Sequence, residues 1–141
     1  MNEFKLVYGG YQSQLGHYCD ILVDDQPLLD WVRDYESAFA GSISGAYICG
    51  FNQEMLQRAC ADSEILLTPF VCNCGDIDCW QLNLTQSCYS DIVAWHNWNN
   101  PARSKQDGWD YRDFAPLNFS AEQYFDELKR ALKLIESKSD L

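Results

Sequence analysis

Three of the chain's seven cysteines fall within the stretch Val71-Cys-Asn-Cys-Gly-Asp-Ile-Asp-Cys-Trp80. Thiols at this density raise zinc first. Cys72 and Cys74 are two apart, which in extended backbone directs both side chains to one face. Gly75 permits a sharp turn, and Cys79 can return to that face. Cys88 or His96 as a fourth ligand would complete a tetrahedral set. The spacing argues against it, because structural sites commonly pair Cys-x-x-Cys units and here Cys-x-Cys-x-x-x-x-Cys stands alone. A nucleophilic cysteine needs a base, a cation or a helix N-terminus nearby. Asp76 and Asp78 would raise a thiol pKa instead, and the only histidines are His17 and His96. The third reading is a strand–turn–strand junction whose thiols pack while Trp80 enters the core. The readings rank as packed turn, then zinc, then catalysis. No cofactor is expected, with zinc as the alternative.

Charge supplies a second set of candidates. The net charge is −11, from 21 acids against 10 bases. Between Arg58 and Arg103 there is no Lys or Arg, while Asp62, Glu64, Asp76, Asp78 and Asp91 lie inside that interval. Such a surface repels nucleic acid, whose binding rests on Lys and Arg contacts to phosphate, and it attracts a basic partner. Trp95, Trp98 and Trp109 with Tyr111 and Phe114 surround a polar loop, residues 97–113, that includes Arg103. Trp, Tyr and Arg are favoured at interface hot spots, and the same residues can line a small pocket. The partner-binding candidates are therefore Asp62, Asp76, Asp78, Asp91, Trp98, Arg103 and Trp109. Paired carboxylates such as Asp76 and Asp78 could also serve acid–base work or hold a hard cation. No glycine-rich phosphate loop, nucleophile elbow or His-rich metal motif accompanies them, so an enzyme ranks below a binding protein.

The elements that must position these residues are legible in outline. Phe4–Tyr8 and Tyr18–Val23 have strand composition. Residues 26–39 read as a helix, with Pro27 in its first turn and Leu28, Trp31, Val32, Tyr35 and Phe39 at helical spacing. A short helix is expected over Gln53–Ala61, and a strand over Glu64–Cys72 that Pro69 interrupts or ends. Trp80–Leu84 and Asp91–Trp98 read as a hairpin joined by a turn over Thr85–Ser90. Ser120 with Gln123 fits a capping box and Phe119 with Tyr124 a hydrophobic staple, opening a helix that runs to about Ser137. Tyr124, Leu128, Ala131, Leu132 and Ile135 line one face of that helix; Glu127, Lys129, Arg130 and Lys133 line the other. Cys19, Cys49 and Cys60 sit in apolar segments and are expected as small buried hydrophobes. Strands and helices without regular alternation predict one α+β domain over residues 1–141, an antiparallel sheet with helices packed on it and a long C-terminal helix. No stretch is long enough to span a bilayer and no signal peptide is seen, so a cytoplasmic location with reduced cysteines is expected.

From Cys72 onward the order of signals resembles a group of small, poorly characterised bacterial proteins. The matching pieces are Cys72-x-Cys-Gly75 with Cys79-Trp80, Val93-x-Trp95, Asn100-Pro-x-Arg103, Trp109-x-Tyr111, and Leu117-x-Phe119 with Tyr124 and Leu128. The similarity covers about the last half of the chain. Where similar proteins often carry a histidine beside the arginine, this chain has Ala102, which argues against any histidine-based site. The resemblance implies a fold and no established activity. Charge, size and aromatic content also resemble bacterial immunity proteins, which neutralise basic toxin domains; an acidic inhibitor of that kind gains fast association. The expected function is a small acidic binding protein, an immunity protein in its most specific form. A zinc-stabilised adaptor is the alternative, and an enzyme of unknown class a further one.

Overall fold

In the computed structural model, which describes residues 1–61, 63–73, 80–103, 106, 108–114 and 116–139, the chain is an α+β domain. Alternation builds its first hairpin, β1 (Phe4–Gln12) against β2 (Gly16–Val23), with Phe4, Leu6, Cys19, Ile21 and Val23 turned inward. A tight turn at Asp24 and Asp25, both with positive φ, leads into β3 (Gln26–Pro27), and Val23 pairs with Gln26 across it. Aspartate is among the few residues that tolerate this conformation. Helix α1 (Leu28–Glu36) follows. It is shorter than expected at both ends: Gln26 and Pro27 are drawn into pairing with β2, and after Glu36 the chain turns, with Phe39 N and Ala40 N both donating to Glu36 O.

The chain then crosses from one sheet to the other. β4 (Tyr47–Cys49) lies on β6 (Ile65–Cys72), while β5 (Phe51–Asn52), one residue later, pairs with β2 at Tyr18 and Cys19. Asn52 caps α2 (Gln53–Ala59) by accepting from Met55 N at 3.0 Å. Pro69 does not end β6. The strand runs through it to Cys72, with the register against β7 (Gln81–Tyr89) shifting between Leu67 and Phe70. This is how a strand accommodates a residue that cannot donate to the ladder. β7 forms the expected hairpin with β8 (Ile92–Asn99), but the turn is only Ser90–Asp91. Thr85–Tyr89, read from their polarity as turn, continue the strand, because Gln86 is needed in the core. Its amide donates to Ala59 O (2.9 Å) and Ala61 O (3.3 Å) at the end of α2, and its carbonyl accepts from Trp95 Nε1 (3.2 Å) and from Tyr124 Oη.

β9 (Leu117–Ser120) completes a five-stranded sheet in the order β4-β6-β7-β8-β9 and runs into α3 (Ala121–Ser139). An isolated parallel bridge between Asn2 and Phe119 ties the residues before β1 to β9. The staple forms as expected, with the Phe119 and Tyr124 rings stacked 5.5 Å apart. Tyr124, Leu128, Ala131 and Ile135 of α3 are buried, as expected. No helix among the described residues is long and apolar enough to cross a membrane.

The capping box is only half realised. Ser120 Oγ accepts from Gln123 N at 3.5 Å, but the Gln123 side chain turns away to β1. There it pairs with both Phe4 N (3.0 Å) and Phe4 O, as a neighbouring strand would. One turn on, Glu127 accepts from Leu6 N (2.7 Å), and Arg130 donates to Leu6 O and to Glu127 Oε1 (2.7 Å). Helical spacing thus lets α3 satisfy the open edge of β1, the edge that otherwise invites pairing with another chain. Glu127 and Arg130 are not merely a solvated face.

Burial raises the Glu127 carboxyl, but the bonds from Arg130 and Leu6 N–H outweigh it and leave the pKa below its ordinary value. A carboxyl whose folded pKa is depressed stabilises above its unfolded pKa, and that contribution is lost as pH falls through the folded value. Glu127→Gln is therefore expected to cost stability at neutral pH and progressively less as pH falls below the ordinary glutamate pKa of about 4.3. Urea midpoints across that range check this; a cost that does not change with pH would remove the ionic contribution.

Candidate functional site

The segment between β8 and β9 folds onto α1 through aromatic stacking. Trp98 stacks on Phe114 (centroids 5.0 Å apart), Phe114 on Tyr35 (5.1 Å) and Tyr35 on Tyr111 (5.7 Å), while Tyr35 Oη donates to Asp110 O at 2.8 Å. Trp98 reaches this stack because of a bulge. From Asn83↔Asn99 to Thr85↔His96, β8 has one residue more than β7, and Asn97 takes φ +56°. The extra residue shifts the alternation, so Trp98 faces the same interior as Trp95, their rings 6.3 Å apart. Asparagine is enriched at such left-handed positions and β-branched residues are strained there. Asn97→Val is expected to cost about 1–2 kcal/mol and Asn97→Gly close to nothing. Equal midpoints for the two variants in thermal melts would contradict the bulge.

Asn100-Pro-x-Arg103 now has a physical reading. Arg103 N donates to Asn100 O at 3.0 Å, closing a β-turn with proline in its second position. Asn100 is buried. Its Oδ1 accepts from Ala102 N (3.1 Å) and its Nδ2 donates to Tyr47 Oη (3.1 Å). The turn places the Arg103 guanidinium carbon 5.2 Å from the ring centroids of both Trp80 and Trp109. Trp80 stacks on Tyr47 at 5.0 Å and donates to Ala46 O at 3.2 Å.

Behind this turn lies a fully buried carboxylate. Glu36 accepts from Gly45 N (2.9 Å), Tyr47 Oη (2.7 Å) and Tyr111 Oη. Burial, then the bond to Glu36, pushes the pKa values of Tyr47 and Tyr111 far up, so both remain donors. Glu36 escaped the sequence reading, although it follows Leu28 and Val32 at successive i+4 positions, and all three are buried. That row was the available signal.

Two clefts flank the stack. The larger, about 640 Å³, is lined by His96, Trp98, Asn99, Arg103, Trp109, Asp110, Tyr111 and Arg112 among others. The second, about 470 Å³, shares Phe114 with it and is lined by Asp30, Trp31, Asp34, Tyr35 and Asp113. Beyond Asp30 a third groove, about 320 Å³, has apolar walls including Leu22, Leu29 and Phe70, with Asp20 beside them. Asp20 is exposed as a residue, yet partial burial of its carboxyl holds the pKa above the ordinary value.

Of the residues singled out by sequence, His96, Trp98, Arg103 and Trp109 come together around the larger cleft. Trp98 and Trp109 are only 6% and 8% exposed, so they are walls of the folded domain and not protruding anchors. Asp91 is exposed in the β7–β8 turn. Asp62, Cys74, Asp76, Asp78 and Cys79 lie outside the described residues. Glu64, before β6, is exposed like Asp91.

Of the zinc candidates Cys72, Cys88 and His96 are described, and these three do not come together. Cys72 N donates to Trp80 O (2.9 Å), and Cys88 is eight strand residues further along β7, about 25 Å away at the usual rise. Cys88 Sγ lies 3.9 Å from Ala61 O, and His96 Nε2 is 2.8 Å from Ser87 Oγ. Neither is placed to share a metal with Cys72. Cys19 and Cys49 are buried as expected, and burial raises both thiol pKa values, Cys19 to about 11. Cys60 is only partly buried.

No family model matches the chain, and no curated protein or solved structure matches it.

Proposed function

We propose that this protein is a binding module for a basic protein, with an immunity-type role against a basic toxin domain as its most specific form. The observation that carries the reading is the shelf along α1. Asp30, Asp34 and Asp113 surround the half-buried rings of Trp31 and Tyr35, and Asp20 continues the row past Asp30. A lysine or arginine stem can lie on such rings while its head meets the carboxylates. Asp30 bonds Arg33 at 3.1 Å, but both side chains are more than half exposed, so a partner's cation can compete. Among the described residues Asp34 and Asp113 have no ion-pair partner. A cation reaching Asp20 would offset the burial that now disfavours its charge. In this reading Trp98 and Trp109 act by holding the edge of the shelf.

The protein, immobilised, should retain from a lysate of its own source a basic protein at about 50 mM salt and release it by about 500 mM, as screening of a charge-steered interface requires. Mass spectrometry identifies what is retained. Retention of acidic proteins only, or of nothing at low salt, would contradict the proposal.

A further inference from the structure

We infer that the larger cleft binds a small organic anion, a carboxylate or phosphate carried on a flat ring. Arg103 is the reason. Of the arginines, Arg33, Arg112 and Arg130 each pair with an acid of the chain and Arg58 donates to Leu66 O, whereas among the described residues Arg103 has neither kind of partner. Its guanidinium carbon is instead 5.2 Å from two indole centroids. An arginine fixed in this way keeps its fork of N–H donors, the group that matches carboxylate and phosphate oxygens in two-point fashion.

Two further features suit such a ligand. The cleft, about 640 Å³, is of small-molecule size, and Trp109, Tyr111 and Phe114 give it aromatic walls. Arg112 adds a second cation beside the single carboxylate of Asp110, 3.3 Å from it, so the described lining is locally positive in a chain of net charge −11. The inference does not depend on the basic partner, which docks on the other side of Phe114.

Titration calorimetry with four probes tests it: adenosine monophosphate and benzoate carry both ring and anion, adenosine only the ring, and inorganic phosphate only the anion. At least one of the first two is expected to saturate one site, with adenosine and phosphate weaker by about tenfold or more, the scale of one charge-assisted fork. The probe that binds tells phosphate from carboxylate. Arg103→Gln and Arg103→Lys should both weaken it by about tenfold, since lysine keeps the charge and loses the fork. Lys129→Gln on α3 should leave it unchanged. Melting curves confirm that each variant is folded. No saturation by either ring-bearing anion at millimolar concentration, equal binding of adenosine, or binding that survives in Arg103→Lys would overturn the inference.

Discussion

Glu36→Ala should destabilise the domain by about 3–5 kcal/mol, the range expected when one partner of a buried polar cluster is removed. The substitution leaves Gly45 N, Tyr47 Oη and Tyr111 Oη without their acceptor in an interior that water does not reach. Each orphaned donor costs about 1–3 kcal/mol in isolation, and partial relaxation keeps the sum below three full penalties. Glu36→Gln retains an acceptor but turns an amide donor toward two hydroxyls that are already donors, so its cost should be intermediate. The same bonds hold the loop, because Tyr111 and, through Tyr47, Asn100 lead to the Arg103 turn. Near-ultraviolet circular dichroism should therefore lose intensity from Trp80 and Trp109 before the far-ultraviolet signal falls. A Glu36→Ala midpoint within the range of surface substitutions would mean that the carboxylate is not the centre of this cluster.

Trp95→Ala should cost about 3–5 kcal/mol, a large share of the roughly 5–15 kcal/mol that stabilises an ordinary domain. Trp95 is fully buried, and its ring meets those of Phe4, Phe51, Trp98, Phe119 and Tyr124. These come from both sheets and from α3, so the cavity opens where the layers meet. Its Nε1 also donates to Gln86 and to Tyr124 Oη, both at 3.2 Å. Trp95→Phe should cost less, because it preserves most of the area and loses these bonds. Urea unfolding of both variants checks the order; equal losses would assign the effect to hydrogen bonding and not to packing.

The parts of the fold legible in sequence were those where one local rule acted alone. Alternation marked β1 and β2, and the apolar row from Tyr124 to Ile135 with its staple marked α3. Expectations failed where a distant partner overruled a local preference. Polarity over residues 85–90 suggested a turn, but Gln86 is polar because Trp95, Tyr124 and the end of α2 require a two-sided partner in the core. Gln123 looked like a reciprocal cap, yet the unpaired edge of β1 offers it a donor and an acceptor together. The bulge at Asn97 is invisible to a period-2 reading, and it decides that Trp98 and Asn100 face inward. The site was half visible for the same reason. Trp98, Arg103 and Trp109 announced themselves by type, whereas Asp30, Asp34 and Asp113 looked like ordinary surface acids until α1 and the loop were laid side by side.

The most direct test of the basic-partner shelf compares two variants that each lose three negative charges. One carries Asp30→Asn, Asp34→Asn and Asp113→Asn on the shelf. The other carries Glu122→Gln, Asp126→Asn and Glu136→Gln, all exposed on α3. Surface-binding kinetics against the retained basic protein, at low and at physiological salt, separate local docking from overall attraction. The account predicts that the shelf variant associates more slowly, dissociates faster and loses most of its salt dependence, while the α3 variant stays close to wild type. Equal weakening of the two would mean that net charge alone drives association, and undiminished binding by the shelf variant would place the partner elsewhere.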